Sequence, residues 1–205
     1  PLRLVGSEMC IRDREKNKLD GIDLDFEWAE NEKEYKDYSL AILKMREVLG
    51  NKYLFSVSLH PVCYKISKEA IEAVDFISLQ CYGPSPVRFP IEKYCSDIQM
   101  VLEYGIPKEK LVAGVPFYGV TKDNSKKTEA YFNFVQNGLV TSPAQNEVIY
   151  QGDTYVFDGQ DNIRIKTRYA KEQKLKGMMS WDLATDLPLS DSRSLLKTMT
   201  EELRE

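Results

Sequence analysis

Three carboxylates within five residues are the first feature of the sequence that could do chemistry. In the segment DGIDLDFEW (20–28), Asp23, Asp25 and Glu27 alternate with Ile22, Leu24, Phe26 and Trp28. On a β-strand, residues i, i+2 and i+4 share one face, so the three acids point one way and the apolar set packs the other. A helix would align Asp20, Asp23 and Glu27 but scatter the apolar residues, so the alternation favours a strand. Same-face neighbours lie about 7 Å apart. Carboxylates that close do not all ionise cheaply, and at least one keeps its proton to higher pH. A carboxylic acid still protonated near neutrality is what acid-assisted cleavage of a glycosidic oxygen requires. A solvated acidic strand is the bland alternative for any single Asp. The full D-x-x-D-x-D-x-E spacing is expected by chance only about 0.006 times in such a chain, with positions treated as independent.

Something must hold that strand. Past Lys18 the pattern is regular, alternating apolar strands with one-faced helices. The helical repeat of Tyr35, Tyr38, Ile42, Met45 and Leu49 ends at Gly50, a C-cap residue. Strands are read at KYLFSVSLHP, VDFISLQCYGP, LVAGVPFYG and GMMSWDL, and helices at SKEAIEAV, IEKYCSDIQMVLEYG, IRIKTRYAKEQKLKG and SLLKTMTEELRE. Residues 120–161 read as a polar, variable stretch. Strand–helix alternation of this kind signals a parallel sheet with helical crossovers. Polar and aromatic residues gather at the strand ends, namely Glu27, His60, Tyr82, Tyr118, Trp181 and Asp182. A (β/α)8 barrel builds its active site at such ends. The expected fold is therefore α/β, a partial (β/α)8 barrel with about five of the eight strand–helix units. The expected division is an uncertain leader over residues 1–17 and the C-terminal part of a catalytic barrel over 18–205. Five strands leave two unpaired sheet edges, so low stability is expected of the chain in isolation.

Composition removes other classes. The 205 residues carry a formal net charge of −4, the wrong sign for a chain that must neutralise phosphates. No apolar run approaches the roughly 18 residues of a membrane span. The four cysteines (Cys10, Cys63, Cys81, Cys95) form no C-x-x-C pair and there is one histidine. Zinc and thiol–disulfide motifs are thus not expected. No G-x-G-x-x-G or P-loop follows the first strand, which removes support for nucleotide binding. No metal and no cofactor are expected.

The acidic segment resembles the D-x-x-D-x-D-x-E signature of glycoside hydrolase family 18, the chitinases and endo-β-N-acetylglucosaminidases. DFISLQCYG, VAGVPFYG and GMMSWDLATD resemble that family's sixth, seventh and eighth barrel strands, in order, and the likeness runs from about Lys18 to Asp186. It implies barrel strands four to eight and a substrate-assisted, retaining hydrolysis of β-1,4-linked N-acetylglucosamine glycans. Glu27 would be the general acid/base. Asp25 would orient the sugar's acetamido group, and Asp23 would stand behind it. Tyr82 would bond the acetamido oxygen, Trp181 would floor the sugar ring, and Asp20 would be structural. The implied partner is an N-acetylglucosamine-containing oligo- or polysaccharide, outside the cell or in its envelope, with the oligomeric state open. Two departures stand out. Many members have Asp after the sixth-strand Tyr and Met two places before it; here those positions are Gly83 and Gln80, so Gln80 would supply hydrogen bonds to the substrate instead. The stretch from about 120 to 177 looks too short for the α+β insertion of some chitinases, which implies a shallower, more open site.

The remaining residues divide less sharply. Tyr118 fits substrate contact or packing, Asp182 polar contact or helix capping, and His60 contact with a sugar or, as is more common for a lone loop histidine, the polar rim. Cys81 reads as an inert buried thiol. A non-catalytic glycan-binding relative is the alternative function. An unrelated α/β domain would require the three acids to face away from any cleft.

Overall fold

The computed structural model describes residue 14 and residues 16–83, 89–123 and 127–204. Most of the leader expected over residues 1–17 lies outside them. Five parallel strands form the main sheet: β1 (Gly21–Asp25), β2 (Leu54–Leu59), β3 (Phe76–Leu79), β4 (Leu111–Pro116) and β9 (Gly177–Trp181), side by side in the order β1-β2-β3-β4-β9. The five expected barrel strands are these five. The sheet is a barrel wall that does not close on itself, with β1 and β9 as its edges among the described residues.

The helices between strands form where the apolar spacing placed them. Helix α1 (Glu32–Leu49) is capped by Asn31, whose side chain accepts the Glu34 N–H. It ends at Gly50, whose positive φ of 60° suits a residue without a Cβ. Helix α2 (Lys68–Ala73) is capped by Ser67, and α3 (Ile91–Tyr104) stops at the left-handed Gly105. Helix α5 (Gln160–Glu172) crosses from the insert described below to β9, and α6 (Leu195–Arg204) closes the described chain. Their apolar faces join one core. Ile42, Phe55, Val57, Ile77, Leu79, Ile98, Leu111, Val115 and Ile163 are all 2% exposed or less.

The strands' other face is polar near β1 and carries the site. Registers Asp23↔Ser56, Asp25↔Ser58 and Ser58↔Ser78 set acids and hydroxyls in adjacent rows. Ser56 and Ser78 are buried there, which apolar-looking strands did not announce. Gly21 allows β1 to start against β2, since a Cβ at that position would lie 2.1 Å from Leu54 O.

The segment read as a polar stretch is a second sheet. The barrel strand expected to reach Tyr118 stops at Pro116, and after Phe117 the chain turns off into β5 (Tyr118–Thr121). This strand lies between β6 (Thr128–Ala130) and β8 (Asp153–Val156), and β8 pairs with β7 (Glu147–Tyr150), all antiparallel. Helix α4 (Tyr131–Gln136) lies between β6 and β7 in sequence. Gln151 and Gly152, both at positive φ, make the two-residue β7–β8 turn. An α+β insert is therefore present, against the expectation that the stretch was too short for one. Its strands are three or four residues long, below the length at which alternation stands out.

Candidate active site

Most of the chemistry-bearing residues meet in one open pocket of about 320 Å³ at the C-terminal ends of the strands. It is lined by Asp25, Glu27, Trp28, His60, Gln80, Tyr82, Gly83, Tyr118 and Trp181. Strand β1 ends on Asp25 and leads into Glu27 on one side, β3 leads into Gln80 and Tyr82 at the centre, and β9 ends on Trp181 opposite. Asp23 is not among the lining residues. It sits one strand position behind Asp25, where its carboxylate accepts the Ser56 hydroxyl at 2.5 Å and the Ser58 hydroxyl at 2.8 Å.

Gln80 ties the front acids together. Its Nε2 donates to Asp25 Oδ1 at 3.2 Å and to Glu27 Oε1 at 3.3 Å, and its Oε1 accepts the Tyr82 hydroxyl at 3.2 Å. Burial, then the Glu27 charge, then the Asp23 charge raise the Asp25 pKa above its ordinary value, while the Gln80 bond opposes them. This is the crowding expected of the acidic row, and Asp25 is where it registers. Burial also pushes the Tyr82 phenol well up, so it stays a neutral hydroxyl.

The pocket floor depends on a missing side chain. A Cβ on Gly114 would lie 3.0 Å from both the Tyr82 ring and the end of Met179, and 2.6 Å from Leu79 O. Tyr82 meets Tyr118 edge-on at 6.3 Å, and Tyr118 meets Phe89 at the same distance. The insert thus supplies a wall, through Tyr118 at the start of β5. Trp181 is 56% exposed, leaving its ring face available to a ligand.

Two placements, those of Trp28 and His60, correct the sequence reading, and a third decides between two readings of Asp182. Trp28, assigned to the outward apolar set, lines the pocket, because β1 ends at Asp25 and alternation no longer dictates the face beyond it. Phe26 does turn outward, its ring 5.1 Å from that of Tyr38 on α1. His60 is not a loop rim but 3% exposed in the pocket wall. Asp182 is a cap, its Oδ1 accepting the Thr185 N–H at 3.1 Å. Cys81 is the inert thiol expected, its pKa pushed up to about 12 by burial first and the Asp97 charge second. No group of three or more His, Cys, Asp or Glu able to hold a metal occurs among the described residues. None of their helices is long and apolar enough to cross a membrane.

The family model for glycosyl hydrolases family 18 matches residues 7–186. The chain belongs to that family. Probable chitinase 2 of Drosophila melanogaster is 23% identical over 83% of this chain and 48% of its own length. A class V chitinase of Arabidopsis thaliana is 23% identical over 81% of this chain and 58% of its own. The chain thus spans about half the length of the curated relatives it matches. Among solved structures, the family 18 chitinase ChiB of Flavobacterium johnsoniae aligns with TM-score 0.79 and 25% identity, over 98% of this chain and 65% of that one. A class V chitinase from Nicotiana tobaccum in complex with NAG4 aligns with TM-score 0.76 and 17% identity, over 96% of this chain and 72% of that one. These matches liken the five-stranded wall to the barrels of family 18 chitinases.

Proposed function

We propose that this family 18 chain carries the catalytic face of a glycosidase cleaving β-1,4-linked N-acetylglucosamine glycans, chitin or a related polymer. The observation that carries the reading is the shared Gln80 bridge. One amide group touches both Asp25 and Glu27 in an open pocket, with a neutral tyrosine hydroxyl beside it and a half-exposed tryptophan on the far wall. Residues 18–205 would form the C-terminal part of the catalytic barrel. The chitinase in complex with NAG4 supports an oligosaccharide of N-acetylglucosamine as the partner.

In the proposed mechanism a sugar ring rests on Trp181 with its 2-acetamido group toward Asp25 and Tyr82. Glu27, protonated, gives its proton to the glycosidic oxygen. The acetamido carbonyl oxygen attacks the anomeric carbon as that C–O bond breaks, closing an oxazolinium ring. Asp25 orients the acetamide and faces the positive charge that forms on it, while the Tyr82 hydroxyl turns its proton from Gln80 Oε1 to the acetamido oxygen before attack. Asp23, fixed by two serine hydroxyls, stands behind Asp25, and its charge is one of the causes that raise the Asp25 pKa. Glu27, now ionised, takes a proton from water. The water opens the oxazolinium from the face the leaving group left, and configuration is retained. A polymer of this kind is met outside the cell or in its envelope, which is where the protein would act.

Turnover of a fluorogenic chitobioside by the full-length protein tests the reading. Glu27→Gln keeps the shape of the side chain and removes its acidity. The expected result is lost turnover with binding of tetra-N-acetylchitotetraose retained. Wild-type protein that binds the sugar without cleaving it would mark a non-catalytic binding relative. Loss of binding together with activity in the variant would make Glu27 structural.

A further inference from the structure

His60 is the single histidine of the chain, and the mechanism above leaves it unused. It follows β2, the strand whose serines hold Asp23. Its backbone is pinned by a bridge to Cys63: the His60 N–H donates to Cys63 O at 3.2 Å, and the Cys63 N–H donates to His60 O at 2.7 Å. The Trp28 indole meets the ring edge-on, with centroids 4.4 Å apart and planes at 81°. On Gly83, a Cβ would lie 3.0 Å from His60 Nε2 and 3.6 Å from Cε1. The imidazole thus fills the space a side chain at position 83 would enter, and Nε2 is the polar atom set against that glycine. All three residues line the pocket that holds Asp25 and Glu27. The strand order puts His60 and Trp28 at the β1–β2 flank and Trp181 at the β9 flank, with Gln80 and Tyr82 between.

We propose that His60 is a substrate-contacting, specificity-determining residue, its Nε2 hydrogen-bonding a hydroxyl or acetamido group of the sugar held over Glu27. A side chain at position 83 would press on that imidazole. The proposal rests on the hydrolase reading of the same pocket. Ionised carboxylates can only accept, whereas an imidazole nitrogen donates or accepts according to tautomer, and a sugar hydroxyl can answer either. Beside it, the Trp28 indole offers an apolar surface to the sugar's C–H groups.

Calorimetric titration of tetra-N-acetylchitotetraose into full-length protein carrying Glu27→Gln tests the contact. His60→Phe retains a ring against Trp28 and removes both nitrogens. It is expected to weaken binding about tenfold, the cost of one lost hydrogen bond. Gly83→Ala presses a methyl group on Nε2 and is expected to weaken binding in the same direction, so it reads the contact even if His60→Phe fails to fold. Because both act on one contact, the double variant His60→Ala/Gly83→Ala should bind no more weakly than His60→Ala alone. Unchanged affinity in His60→Phe, or losses that add in the double variant, overturns the proposal while leaving the hydrolase reading intact. Wild-type protein that neither binds nor cleaves chitooligosaccharides overturns both.

Discussion

Gln80 donates its side-chain N–H to Asp25 at 3.2 Å although a whole strand, β2, lies between the strands that lead to them. The same Nε2 reaches Glu27 at 3.3 Å, so a single neutral amide sits where two carboxylates would otherwise repel across open space. That bond lowers the Asp25 pKa against burial and the charges of Glu27 and Asp23, which raise it. Gln80→Met removes the amide at nearly constant length. Hydrogen bonds to charged groups contribute about 1.5–3 kcal/mol, so kcat/KM should fall roughly 10- to 100-fold. With the lowering contribution gone, the Asp25 pKa rises further. The acid limb of the pH–rate profile should move to higher pH, and a limb that stays in place would deny Gln80 this role.

Asp25 also links the site to stability. Its pKa in the folded chain lies above the ordinary 3.8, so the folded state holds the proton more tightly than the unfolded state does. Below the unfolded value both states are protonated and the group is neutral in the balance. As pH rises through the window between the two values, the unfolded state gives up its proton first and native stability falls. Asp25→Asn removes that titration. The variant should melt near the wild type at pH 3 and progressively above it as pH climbs past the carboxylate range. Melting temperatures across pH 3–7 read this directly, and a gap that does not vary with pH would contradict it.

How far the sequence carried these features depended on which interactions set them. The five barrel strands, the Gly50 cap and the shared face of Asp23 and Asp25 follow from local patterns, a period of 2 or 3.6 and a terminating glycine. Such patterns survive because the core face of each strand is buried against helices and fixes the register. Trp28 escaped because it lies past the end of β1, where alternation no longer constrains it. The insert escaped because strands such as TEA and DTYV are too short and too mixed to show a face, and because their partners are set by tertiary pairing. Its one local signal was the Gln151–Gly152 turn between two short alternating runs. His60 could be located in sequence, but its contact with Gly83 joins residues that lie past the ends of two different strands, and only the folded chain displays it.

The insert rejoins the barrel through a buried ion pair, and the pair provides the last prediction. Asp158, just past β8, is fully buried and accepts Lys166 Nζ at 2.5 Å and Asn162 Nδ2 at 3.1 Å. Lys166, on α5, is 2% exposed, with its ammonium 5.5 Å from the Tyr94 ring centroid and 5.9 Å from that of Phe89. Phe89 in turn meets Tyr118 of the pocket wall. Lys166→Met leaves a buried carboxylate without its cation and should cost about 3–5 kcal/mol in urea unfolding at pH 7. Adding Asp158→Leu removes the stranded charge and should recover most of that loss, since well-packed apolar pairs replace buried ion pairs at little cost. Burial already raises the Asp158 pKa, and without Lys166 it rises further. The single variant's deficit should therefore shrink toward pH 4, where Asp158 takes up a proton and the charge disappears. A deficit equal at both pH values would mean that lost packing around Phe89 and Tyr94, not the stranded charge, is what destabilises the chain.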